Sequence, residues 1–113
     1  MDFIESEYQI CIDFLNDCAQ ACNECLDECL NAPDLKDRGE LIKNLVECEI
    51  HAQMTVGFLT RKSKHAKKMA LICAHLAEVT AKECENFNDV CTKMTQQVCL
   101  ESASMCIKSF DNK

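Results

Sequence analysis

The stretch CIDFLNDCAQACNECLDEC, residues 11–29, decides the fold. Its cysteines, Cys11, Cys18, Cys22, Cys25 and Cys29, are separated by seven, four, three and four residues. On a helix turning about 100° per residue they fall in a stripe roughly 80° wide, and Leu15 fills the one gap in the a/d pattern. Helices bury such a stripe against their partners. Leu, Ile and Val ordinarily occupy it, whereas here a row of thiols points into the core. Soft sulfur donors lined up along a bundle interior suggest a container for a soft metal ion.

The rest of the chain sets the frame. Its 113 residues suit one domain, 1–113. Eleven cysteines would suggest a disulfide scaffold in a short secreted chain. Three features point the other way. The first seven residues are acidic and carry no basic segment followed by an apolar run. The cysteine count is odd. Only 2 Gly and 1 Pro occur, whereas disulfide-dense folds are rich in loops. A reducing, cytoplasmic setting is therefore expected. No stretch approaches about 18 uncharged apolar residues, so no membrane association is expected. A net charge of −7 argues against a nucleic-acid partner. The basic run from Arg61 to Lys68 reads as a solvated loop that also suits the C-terminus of the preceding helix.

Scarce Gly and Pro with abundant Ala, Leu, Glu and Lys predict an all-α chain, broken in three places. Pro33, in Asn31-Ala32-Pro33-Asp34, ends a helix running from about Asp2 to Leu30. A second helix runs from Leu35 or Arg38 to Thr60, with Asp37 and Glu40 as a capping-box-like start. Ser63 is expected to cap the third helix, and Asn88 a fourth that ends near Phe110. Four helices of similar length with short connections predict an antiparallel up-down-up-down four-helix bundle with a cysteine-lined core.

Periodicity gives the inward faces. Helix two presents Leu41, Leu45, Cys48, Ala52, Thr55 and Leu59; helix three Met69, Cys73, Ala77, Thr80 and Cys84; helix four Cys91, Thr95, Cys99, Ser102 and Cys106. Bulkier residues such as Ile12, Leu26, Ile42, Val46, Phe58, Leu76 and Val79 fall on flanks where helices meet side to side. The cysteines thus reach the interior from all four helices, most densely from the first.

Thiolate favours Cu(I), zinc and iron–sulfur clusters. Two sulfurs on adjacent turns suffice for Cu(I), and Cys18 with Cys22, and Cys25 with Cys29, are i, i+4 pairs. Cys22 with Cys25 is an i, i+3 pair able to bridge neighbouring ions. A structural zinc site draws on short Cys-x₂₋₄-Cys loops, and iron–sulfur ligation on loop cysteines at motif spacings. Only Cys22 and Cys25 have that short form here, and they lie mid-helix. Cys48 alone reads equally well as a small hydrophobe. His51, three residues after Cys48, could lend a nitrogen but reads more simply as a flank residue; His65 reads as surface, and His75 points away from Cys73. Met54, Met69, Met94 and Met105 offer thioethers, though Met usually fills gaps. Met69, one turn before Cys73, is the best placed of them. For catalysis there is no Gly-rich phosphate loop and no zinc-protease pair of histidines. Cys91, three residues after Asn88, is the only cysteine placed for low-pKa thiol chemistry.

The run from Cys18 to Cys29 resembles the first helix of cysteine-rich four-helix-bundle copper storage proteins. Further matches are Leu71-Ile72-Cys73-Ala74 and Glu83-Cys84-Glu85-Asn86-Phe87 with Cys91. The resemblance covers most of the chain and is most specific in helix one. It implies a cytosolic or exported bundle that holds many Cu(I) ions between thiolates along its axis, often as a tetramer. Leu41, Leu45 and Ala52, and likewise Ala77 and Thr80, stand where that family places further thiols, which implies a smaller load. Met and His near one bundle mouth are associated in the family with metal access, and the Asn31 to Lys36 loop has neither.

The expectation is a non-enzymatic protein that binds and stores or buffers several Cu(I) ions. Its metal ligands are Cys11, Cys18, Cys22, Cys25, Cys29, Cys48, Cys73, Cys84, Cys91, Cys99 and Cys106. A copper donor or acceptor protein and a homo-oligomer are the expected partners. The alternatives are a metal-free helical interaction or thiol-redox protein, and a zinc or iron–sulfur bundle.

Overall fold

The computed structural model describes residues 8–110. Four helices, α1 (Gln9–Leu30), α2 (Gly39–Thr60), α3 (Ala66–Cys84) and α4 (Val90–Phe110), follow one another with short connections. A 3₁₀ turn, Leu35–Arg38, precedes α2. Each helix packs against its chain neighbours and α1 closes the ring on α4, while diagonal helices make no close backbone approach among the described residues. This is the antiparallel bundle expected of four similar helices on short loops.

The helix boundaries correct the sequence reading in three places. First, no side-chain cap hydrogen bond opens α2, so Asp37 and Glu40 form no capping box; the chain coils into the 3₁₀ turn and sends Arg38 inward instead. Second, α3 starts at Ala66 rather than at a Ser63 cap. Ser63 is still committed to α2: its N–H donates to the Phe58 carbonyl (3.0 Å) while that of Lys62 donates to Leu59 (3.1 Å). That is a Schellman ending, with Lys62 at φ 53° where glycine is usual. The Ser63 hydroxyl accepts the His65 N–H instead. Third, Asp89 and not Asn88 stands before α4. The Asp89 carbonyl accepts the Lys93 N–H, and its carboxylate accepts the Thr92 hydroxyl at 3.1 Å. Asp89 is pinned there by an ion pair with Arg38. Residues 2–7 of the first expected helix lie outside the described residues.

The inward stripes of α1 and α2 are buried as expected, with all their cysteines at 0% exposure. On α3 the stripe is shifted. Met69 is half-buried, and Ala66, Ala70, Ala74 and Ala81 are buried. Alanine lets the helices approach closely, but its small side chain gives a weak periodic signal. On α4, Cys91 is half-buried rather than interior, while Thr92, Ala103 and Phe110 are buried beyond the expected set. Among the flank residues Ile12 is buried; Leu26, Ile42, Val46, Phe58 and Leu76 are half-buried; Val79 is exposed. Leu15, Leu41, Leu45 and Leu59 are the large aliphatic side chains sealed in the core. Buried hydroxyls are tied to neighbouring backbone: Thr80 donates to Leu76 and Asn44 carbonyls, Thr95 to Ala21 and Ser102 to Phe14. The core is thus narrow, sulfur-rich and braced by hydroxyls that reach across helices.

Candidate metal centre

All eleven cysteines are free thiols, ten of them buried and Cys91 half-buried. They stack in three tiers along the bundle axis. The middle tier is the tightest: the sulfurs of Cys18 and Cys22 from α1, Cys48 from α2 and Cys99 from α4 all lie within 4.8 Å of one another. Cys18 Sγ is 3.7 Å from Cys48 Sγ and 3.8 Å from Cys99 Sγ. In the tier toward the α1–α2 and α3–α4 loops, Cys25 Sγ lies 3.5 Å from Cys91 Sγ, and Cys29 and Cys84 are near enough for their charges to act on Cys25. In the opposite tier, Cys11 Sγ and Cys106 Sγ are 3.5 Å apart; Cys73 lies toward the middle tier, where Cys48, then Cys18 and Cys11, act on it, and it acts in turn on Cys106.

The surroundings favour protonated thiols over isolated thiolates. Burial pushes the Cys25 thiol up to about 11, and those of Cys73 and Cys84 up to about 12. Cys91 is raised too, first by burial and then by its hydrogen bonds with Cys25 and Asp89. In the middle tier the direction splits. Cys48 is held below the usual thiol range by hydrogen bonds from Cys18, then Cys22 and Cys99. Cys22 and Cys99 are raised, each chiefly through Cys18. Cys11 is lowered by its bond to Cys106, and Cys106 is raised in turn. Paired sulfurs therefore share charge, so a thiolate in the middle tier is already stabilised by the thiols that would join it around an ion. The Thr55 hydroxyl, fully buried and making no hydrogen bond, sits close enough to Cys73 to favour its thiolate.

One further side chain belongs to this geometry and was not read from the sequence. Arg38 is 7% exposed. Its Nη1 donates to Cys29 Sγ at 3.5 Å and to Asp89 Oδ2 at 3.0 Å. Nη2 donates to Asp89 Oδ1 at 3.3 Å and Nε to Asp34 Oδ1 at 2.9 Å. The guanidinium lies 4.6 Å from the centre of the Phe87 ring. Arg38 beside it holds the Asp89 carboxyl down at about 2, and Asp89 raises Arg38 in return. The only sequence signal was an arginine before a helix, and its partner lies 51 residues away.

His51 is half-buried with an unpartnered Nδ1, yet it is not among the ligand atoms that gather. His65 and His75 are exposed, in line with the sequence reading. Met69 is half-buried on α3, while Met94 shares a cavity with Cys25 and Cys91. The middle tier is also a closed set of four sulfurs, which spacing along single helices does not designate. Tetrahedral zinc at about 2.3 Å from sulfur places sulfurs about 3.8 Å apart, close to the middle-tier distances. Helix register, which spacing within one helix cannot reveal, brings those four together.

The comparisons with known proteins agree with this fold. A family model described as copper storage protein matches residues 4–111. Among solved structures, a Cu(I)-bound copper storage protein superposes with a TM-score of 0.87 at 24% identity, over 90% of this chain and 96% of that one. The apo form of copper storage protein 3 from Bacillus subtilis gives 0.85 at 24% identity, over 90% and 97%. A protein from Nitrosospira multiformis gives 0.86 at 23% identity, over 97% and 100%. At these identities the likeness is one of fold. A comparison with curated proteins found no significant match.

Proposed function

The chain belongs to the copper storage protein family, and from that premise we propose that it takes up several Cu(I) ions as cargo between the thiolates of its bundle core. The ligand set is Cys11, Cys18, Cys22, Cys25, Cys29, Cys48, Cys73, Cys84, Cys91, Cys99 and Cys106, arranged as three tiers along the axis of one bundle, 1–113. A single observation carries this reading: ten of eleven free thiols are buried in the bundle core, and close sulfur pairs recur there at 3.5 to 3.8 Å. Two or three such sulfurs satisfy Cu(I), which prefers soft donors and low coordination. The protein's part is to hold the thiols in register, exclude water and release one proton per thiolate formed.

The container has no enzymatic role in this reading. It works in the cytoplasm, where thiols stay reduced, and no helix among the described residues is long and apolar enough to cross a membrane. A copper donor or acceptor exchanges metal with it, and copies of the chain associate. Exposed Ile50, Met54, Leu71 and Ile72 on the outer faces of α2 and α3 support that association.

Anaerobic titration of the reduced apo-protein with Cu(I), against a competing chelator, tests the proposal. More than two Cu(I) per chain are expected at high affinity. Saturation at one equivalent, or ready loss to a weak chelator, would defeat it. The middle tier favours one competing reading, a single zinc ion held by Cys18, Cys22, Cys48 and Cys99. Uptake of one Zn(II) per chain that excess Cu(I) cannot displace would establish that reading instead.

A further inference from the structure

Both ends of the sulfur column are closed among the described residues. At one end Arg38 lies over Cys29, with its charge engaged by Asp34 and Asp89 and its face against Phe87. A cation arriving there would meet a guanidinium and would have to part a two-pronged ion pair. At the other end the Tyr8 and Phe110 rings stack at 5.3 Å and Leu59 is fully buried. The side of the bundle is different. Between α1 and α4 lies a cleft of about 640 Å³ whose walls include Glu24, Asp27, Glu28, Asp89, Cys91 and Met94. Behind it is a pocket of about 80 Å³ that shares Glu24, Cys91 and Met94 with the cleft and adds Cys25. Cys91 is the one cysteine that is not buried. Met94 is 62% exposed. The Cys25 thiol donates to Cys91 Sγ at 3.5 Å, and that of Cys91 to Asp89 Oδ2 at 3.3 Å.

We propose that Cu(I) enters and leaves the core sideways, through a port between α1 and α4 in which Met94, Cys91 and Cys25 form a relay of soft donors. The proposal rests on the storage reading and specifies its route. Three carboxylates at the cleft, Glu24, Asp27 and Glu28, draw in a cation, Asp89 being engaged by Arg38, but their hard oxygens do not hold Cu(I). The Met94 thioether is a soft donor with no proton to lose, so it can accept the ion at the surface before any thiol deprotonates. Cys91 stands behind it and Cys25 behind Cys91. Passage is a ligand exchange. The bond from copper to its carrier breaks as the bond to Met94 sulfur forms, and bonds to Cys91 and Cys25 sulfurs then replace it. Each thiol gives its proton to water, and copper remains Cu(I) throughout. From Cys25 the neighbouring Cys22 and Cys29, one turn away on α1, continue the path into the column.

Reduced protein mixed anaerobically with Cu(I) presented as its glutathione complex separates route from capacity. Uptake is followed by stopped-flow ultraviolet absorbance of the copper–thiolate bond. Met94→Leu, a volume-conserving change at an exposed position, should slow filling several-fold while leaving final copper content at the wild-type value. Ile107→Leu, at an exposed position near the far end of α4, should leave both unchanged. A bulky maleimide in limiting amount should alkylate Cys91 first, located by mass spectrometry of the digest, and the alkylated protein should fill slowly. Wild-type filling rates in both Met94→Leu and the alkylated protein would overturn the port while leaving storage intact. A wild-type protein that takes up no copper would overturn the storage reading and the port with it.

Discussion

At the residue scale, the thiols bear two opposite consequences of pH. In the apo-protein Cys25, Cys73 and Cys84 titrate near 11 to 12, above the ordinary thiol value of 9.0, because burial disfavours their charged form. A folded-state pKa raised in this way stabilises the fold fully below the unfolded value, and the gain disappears as pH rises through the folded one. Cys48 and Cys11 are lowered and act in the opposite sense, but the raised thiols outnumber them. The reduced apo-bundle should therefore lose stability between about pH 9 and pH 12. Copper binding reverses the dependence. An ion taken by two protonated thiols releases about two protons, so its apparent affinity should fall about a hundredfold for each pH unit lost. At Cys48, where a thiolate is already favoured, fewer protons are displaced and copper should persist to lower pH. Chelator competition between pH 5.5 and 8.5 checks this, and a pH-independent affinity would contradict it. The sequence placed ten cysteines inside correctly from helical spacing alone. It could not show that Cys18, Cys22, Cys48 and Cys99 meet, nor that Cys91 stays half open, because both follow from the register of separate helices.

At the element scale, boundaries were the least legible feature, and each miss has a local cause. Pro33 and the scarcity of glycine marked the breaks, but side-chain caps were assigned by residue type alone. Asp89 displaces Asn88 because Arg38 holds it, and Ser63 is lost to the Schellman ending of α2. Lys62 adopts a left-handed conformation there at φ 53°. An L-residue pays about 1 kcal/mol in that region, which glycine does not. Lys62→Gly should therefore stabilise the protein by up to about 1 kcal/mol, or a few degrees in Tm, after the extra freedom of glycine in the unfolded chain is set against it. Thermal unfolding of the reduced apo-form reads this directly. A lower Tm would show that the Lys62 side chain contributes more than its backbone strain removes. Copper capacity should not change, since the turn lies at the end of the bundle away from Arg38.

At the scale of the whole molecule, the question is whether metal or packing holds the bundle together. Small metal-dependent domains such as zinc fingers are unfolded without their ion because they lack an apolar core. This bundle has one of its own: four sealed leucines, alanine-rich contacts along α3, and half-buried Leu26, Ile42, Phe58 and Leu76 at the seams. Its core hydroxyls of Thr80, Thr95 and Ser102 are satisfied by backbone carbonyls across helices without any metal, Thr55 being the exception. The thiols add volume to this core and, protonated, little charge. The reduced apo-protein should therefore keep its helical far-ultraviolet circular dichroism. Copper should then raise Tm progressively, since binding to the native state alone adds about 4 kcal/mol per site at a thousandfold excess over Kd. Each tier that fills joins two or three helices through sulfur, so the increments should continue beyond the first equivalent. A random-coil spectrum in the apo-form would mean that metal builds the fold, and a closed zinc-type centre at the middle tier would then explain it better. A Tm that stops rising after one equivalent would likewise confine binding to Cys18, Cys22, Cys48 and Cys99 and leave the two outer tiers as ordinary core.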